Sequence, residues 1–149
     1  MAEEQAELSF NRGRHFVGFV ALKEGYGDDG KVHERSELLD AHREWLIHRH
    51  SKNQNFLGVK LSQVGDISYA FVDNGELLLF QEPGVEVSGE IASYSENLSD
   101  DEIHVILVSL FESLARKVGQ ATVRFTYFGE DNYRQSTRIR IPEVEHPLD

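Results

Sequence analysis

The stretch 99–127 constrains the fold of this chain more than any other. Ser99 can cap a first helical turn, Glu102 can reach back to it, and Asp100 and Asp101 put negative charge at the positive end of the helix dipole. Ile103, Ile106, Leu107, Leu110, Phe111, Leu114 and Val118 then recur at three- and four-residue steps, giving one apolar stripe about five turns long. Arg116 and Lys117 fall in the last turn, and Gly119 stops the helix. After Gln120 the period drops to two, with Ala121, Val123, Phe125 and Tyr127 on one side and Thr122, Arg124 and Thr126 on the other. A helix laid on a sheet is the core that such a run demands.

The rest of the chain supplies the other layers. Residues 15–22 read His-Phe-Val-Gly-Phe-Val-Ala-Leu, apolar enough for a strand at the centre of a sheet or buried on both faces. Gly18 there removes a side chain where a neighbour packs closely. Ser36 or a neighbour caps a helix running to about His50, with Leu38, Leu39, Trp45 and Leu46 inward. Trp45, the only tryptophan, is expected to pack on the stripe of the Ser99 helix. Residues 56–64 and 67–72 read as strands, Asp73-Asn74-Gly75 as a tight hairpin turn into 76–81, and Glu82-Pro83-Gly84 as the end of that run before a further extended segment, 85–94. Leu77, Leu78, Leu79 and Phe80 in succession ask for cover on both faces, from a helix or a second copy, and a homodimer is expected.

Strand, helix, several strands, helix and two strands make an α+β domain, with two helices packed on one face of a mostly antiparallel sheet. A ferredoxin-like (split βαβ) arrangement with an extra hairpin is the specific expectation. A single domain spans 1–149, with flexible tails at 1–11 and 142–149.

Composition narrows the function classes. The formal charge of −11, from 26 acids against 15 Lys and Arg, opposes binding of duplex DNA or an anionic membrane through the bulk field. With no cysteine, disulfides, thiol catalysis and thiolate metal sites are excluded. The N-terminus is acidic where a signal peptide is basic, and no apolar run approaches the ~18 residues of a membrane span, which points to the cytoplasm.

Three motif readings fail on their chemistry. Gly25-Tyr26-Gly27-Asp28-Asp29-Gly30 matches the dinucleotide glycine spacing after a strand, but its aspartates repel phosphate and no helix opens at once. It also lacks the alternating oxygen ligands and terminal glutamate of a calcium loop. His33, His42, His48 and His50 invite a metal reading, yet His48 and His50 fall about 200° apart around a helix and His42 has no histidine four residues away. No metal or cofactor is expected.

The final hairpin carries more. Arg134, Ser136, Arg138 and Arg140 share one face of residues 133–141, and if the apolar sides of both strands meet the core, Val123 must face Ile139. That register pairs Arg124 with Arg138, Thr122 with Arg140, and Thr126 with Ser136, and joins Gly129 to Tyr133 around a three-residue loop. Facing arginines among hydroxyls suit a phosphate or carboxylate, unless acids of a neighbouring strand or subunit neutralise them. The reading is therefore a non-enzymatic module that binds a small anionic, phosphorylated or nucleotide-like ligand on Thr122, Arg124, Thr126, Arg134, Ser136, Arg138 and Arg140. An acidic inhibitor or adaptor docking on a basic protein partner is the alternative. Third comes a hydrolase using His42, His48 or His50 with a glutamate; it lacks a placed nucleophile, so the reading leans against an enzyme.

Overall fold

Ser99 caps α2 (Asp100–Lys117) as its sequence demands: its Oγ accepts from the Glu102 amide at 3.1 Å while the Glu102 carboxylate accepts from the Ser99 amide at 3.2 Å. The computed structural model describes residues 13–25, 30–92, 95 and 97–144, so 1–12, 26–29, 93, 94, 96 and 145–149, including the end of the expected segment 85–94, lie outside the described residues. Before α2 come β1 (His15–Ala21), α1 (Arg35–Ser51), β2 (Lys60–Asp73) and β3 (Glu76–Glu90), and after it β4 (Thr122–Phe128) and β5 (Arg134–Arg140).

Among the described residues these strands form one sheet in the order β2-β3-β1-β4-β5, every neighbouring pair antiparallel. The architecture is α+β, with both helices on one face. The order of the first four strands is compatible with a split βαβ arrangement, and β5 extends the sheet beyond β4.

The core lies between helices and sheet. Phe16 and Val20 of β1, Val85 and Val87 of β3, Val123, Phe125 and Tyr127 of β4 and Ile139 of β5 are buried with the α2 stripe. Gly18 faces the Phe111 ring so closely that a Cβ would overlap it, which explains the missing side chain in the central strand. Trp45 is 5% exposed and its indole N–H donates to Ser109 Oγ of α2 at 3.0 Å, a polar handle satisfied inside the helix pair. Tyr127 donates to Asp100 at 2.6 Å, and buried Arg14 donates to the Leu98 and Ser95 carbonyls at 2.6 and 3.2 Å. The start of α2 is thereby fastened to β4 and to the chain entering β1.

Five details depart from the sequence reading. Glu34, rather than Ser36, caps α1, its amide bound by Glu37 at 2.8 Å, and Leu39 points to solvent because Leu38, Ala41 and Trp45 form the inner line. Residues 60–73 make one strand where two were expected, interrupted only by a bulge between Gln63 and Asp66. Opposite that bulge Pro83 continues β3 instead of ending it, because a bulge leaves an amide without a ladder partner and proline has none to offer. Pro142 and Glu143 form a turn beyond β5, with Glu143 bound to Arg116 at 3.0 Å. The Asn74-Gly75 turn has positive φ at both residues, 51° and 79°, as a two-residue hairpin loop requires.

Candidate functional site

Both helices occupy one face of the sheet, so the alternate residues of every strand look outward. Antiparallel pairing lines them up in rows across the strands. One row runs Ser62, Glu86, Phe19, Arg124 and Arg138; the next runs Lys60, Ser88, Val17, Thr126 and Ser136. The β4–β5 register is the one that the alternation demands: Val123 faces Ile139, Arg124 faces Arg138, Thr122 faces Arg140, and the Gly129 amide donates to the Tyr133 carbonyl at 2.8 Å.

An open groove of about 720 Å³ follows these two rows, lined by Val17, Phe19, Glu86, Arg124, Thr126, Ser136 and Arg138. It continues into a second of about 490 Å³ that shares Phe19 and Arg124 and adds Tyr69, Glu82, Ala21 and Thr122. Phe19 is the common floor. Its ring lies against Gly84 so tightly that a Cβ there would overlap it, which sets the ring between Glu82 and Glu86 along β3.

The seven residues singled out on the hairpin are only partly brought together. Arg124, Thr126, Ser136 and Arg138 line the larger groove, with Thr126 and Ser136 hydroxyls hydrogen-bonded at 3.0 Å, and Thr122 joins in the smaller one. Arg134 lies elsewhere, its guanidinium 5.5 Å over the Phe128 ring, on which His15 stacks at 4.6 Å. Arg140 lines neither groove. No acid among the described residues lies within ion-pair distance of Arg124 or Arg138, so neutralisation from a neighbouring strand does not account for the pair.

Sequence reasoning missed the acidic wall. Glu82 is half-buried, and burial pushes its carboxyl above the usual range, partly opposed by the Tyr69 hydroxyl, which donates to it at 3.3 Å, and by the Lys23 charge. Tyr69 is itself stacked on Phe80 at 5.4 Å. A signal existed: the residue before a proline is driven to extended backbone, which suits Glu82 to a strand as well as to a turn.

The histidines take structural places. His42 is bonded to the Leu57 carbonyl at 2.9 Å and stacks on Trp45, while His48 and His50 are exposed near the end of α1. His33 is 6% exposed, with Glu37 on Nδ1 at 2.9 Å and Glu24 on Nε2 at 2.8 Å. The carboxylates sit on opposite ring nitrogens and do not converge; among the described residues no group of three or more His, Asp or Glu could hold a metal ion. No helix among them is long and apolar enough to cross a membrane.

No family model and no curated protein matches the sequence. Two solved structures do match. One is a phage SAM lyase in complex with S-methyl-5'-thioadenosine, at TM-score 0.60 and 16% identity, the alignment covering 89% of this chain and 93% of that one. The other is a phage SAM lyase in the apo state, at TM-score 0.55 and 19% identity with the same coverage. The fold is similar to that of an enzyme. The expectation of a non-enzymatic anion-binding module, and the adaptor reading beside it, are corrected by this likeness. Of the histidines named for a hydrolase, His42 is engaged in packing and His48 lines a cavity of about 420 Å³ with Glu44 on the helix side, away from the groove on the open face.

Proposed function

We propose that the chain is a cytoplasmic enzyme that cleaves a sulfonium nucleoside of the S-adenosylmethionine class in the groove on the open face of the sheet. The observation that carries the reading is Glu82, a carboxyl perturbed by burial, bonded by Tyr69, and facing the same groove as the Phe19 ring. The similarity to a phage SAM lyase supports it, and so does the charge of −11, which draws a cationic substrate toward the protein. Phe19 offers a π-face to a purine, and Glu82 a counter-charge to a sulfonium.

The chemistry balances without water. When the bond from sulfur to the γ-carbon of the amino-acid tail breaks, its electron pair returns to sulfur, and S-methyl-5'-thioadenosine leaves as a neutral thioether. The carbon left behind is closed by the substrate's own carboxylate, giving a lactone, or by loss of a β proton to Glu82, giving an alkene. Incubation of the purified protein with S-adenosylmethionine, followed by chromatography of the products, tests the reading and tells the two closures apart. Production of S-methyl-5'-thioadenosine that falls by roughly 10²- to 10⁴-fold in Glu82→Gln is the expected result. Unconsumed S-adenosylmethionine at micromolar protein would overturn it.

Self-association belongs to the same reading. Val72, Leu77 and Leu79 remain exposed on the β2–β3 hairpin beyond the reach of both helices, an apolar face that a second copy of the chain would cover.

A further inference from the structure

We infer that the cross-strand pair Arg124–Arg138 holds the carboxylate at the amino-acid end of the substrate and so distinguishes substrate from nucleoside product. The inference rests on the functional reading above and assigns the part of that groove which the reading leaves unused. Three observations carry it.

The pairing register sets the two arginines directly opposite one another on adjacent strands, whose backbones run about 4.8 Å apart. Facing like charges on a sheet are unfavourable, and among the described residues no acid lies within ion-pair distance of either arginine. Both arginines line the same groove as Phe19 and Glu86, in one row whose polarity runs from a carboxylate through an aromatic ring to two guanidinium groups.

An anion alone would satisfy the arginines but would meet Glu86 across the floor, and a cation alone would meet the arginines. The face suits a ligand that carries both signs and a flat ring. An adenosyl sulfonium amino acid has these features: a purine ring, a cationic sulfur, and a terminal carboxylate whose two oxygens match the planar guanidinium fork. S-methyl-5'-thioadenosine lacks that terminus, so it forfeits the arginine contacts once the tail is detached, which favours its departure.

Calorimetric titration of wild type, Arg124→Gln and Arg138→Gln separates the possibilities. The probes are S-adenosylhomocysteine, which keeps the carboxylate but is not a sulfonium; decarboxylated S-adenosylmethionine, which keeps the sulfonium and the amino group but has no carboxylate; and S-methyl-5'-thioadenosine, which has no amino-acid tail. Wild type is expected to bind S-adenosylhomocysteine tightest. Each arginine variant should lose roughly 10- to 100-fold for that probe, the range of hydrogen bonds to charged groups, and less than about twofold for the other two. Thermal melting of the ligand-free variants should match or exceed wild type, because the change removes a like-charge pair. Equal losses for all three probes, or none for S-adenosylhomocysteine, would overturn the carboxylate assignment while leaving the enzyme reading intact. Failure of wild type to bind any of the three would overturn both.

Discussion

Glu82 and His33 both hold a proton more tightly than a free side chain would, and for opposite reasons. At Glu82 burial disfavours the anion. At His33 burial would drive the proton off, but hydrogen bonds from the ring to Glu37 and Glu24 outweigh it and raise the pKa, while the Glu37 carboxyl is held below the usual range by the same bond. The signs of the two linkages follow. Ionising Glu82 costs the folded state stability as pH rises through its raised value, so Glu82→Gln should melt no lower than wild type near pH 8 even as turnover collapses. The stabilisation from charged His33 is fully present below the unfolded value of about 6.5 and is lost as pH rises through the folded value above it. Glu37 works in the other direction, its share being present above the unfolded carboxyl range and lost as pH falls through the depressed value. Urea midpoints of wild type and His33→Gln should therefore differ most near pH 6 and converge above pH 9. A constant gap would show that His33 acts through packing alone.

Elements differ in how openly the sequence declared them. The Ser99 helix and the β4–β5 hairpin were legible because each has two independent markers that agree: a cap with a stripe, and an alternation with a turn. Strand β3 was not. Glu82-Pro83-Gly84 carries the residues of a turn, yet Pro83 sits where the bulge excuses its missing amide, and Gly84 is there to admit the Phe19 ring. Taking that segment for a stop hid Glu82, and with it half of the candidate site; the arginine half was visible because it lay on a well-marked hairpin. Gly84→Ala should accordingly leave the strand intact but displace the Phe19 ring from the groove floor, and weaken binding of S-methyl-5'-thioadenosine by roughly 5- to 150-fold if base stacking is worth its usual ~1–3 kcal/mol. Circular dichroism and calorimetry together check both halves of that statement. Between the helices, Trp45→Ala should cost about 3–5 kcal/mol in urea unfolding, the range for deleting a buried aromatic. A red-shifted native tryptophan emission would contradict the buried placement.

At the scale of the whole molecule, the two sheet faces differ: the helix side holds the core, and the other side is open and carries the groove assigned to the proposed chemistry. The hairpin reaching past the helices leaves Leu79 76% exposed and Val72 73% exposed, more apolar surface than scattered single residues explain. Sedimentation of wild type should report a dimer, and Leu77→Lys with Leu79→Lys a monomer of unchanged circular dichroism; a monomeric wild type would remove the second copy from the proposal. The central place of β1 also bears on how the native state is reached. His15 pairs with Glu90 on one side and with Phe128 on the other, so the strand made first must wait for partners that lie far along the chain. The β2–β3 hairpin needs only its own turn and can form early, whereas closing the sheet around β1 brings together distant segments before the contacts reward it. Until then Phe16 and Val20, buried in the native core, face water. The groove between Phe19 of β1 and Arg124 of β4 therefore exists only once β1 has paired on both sides.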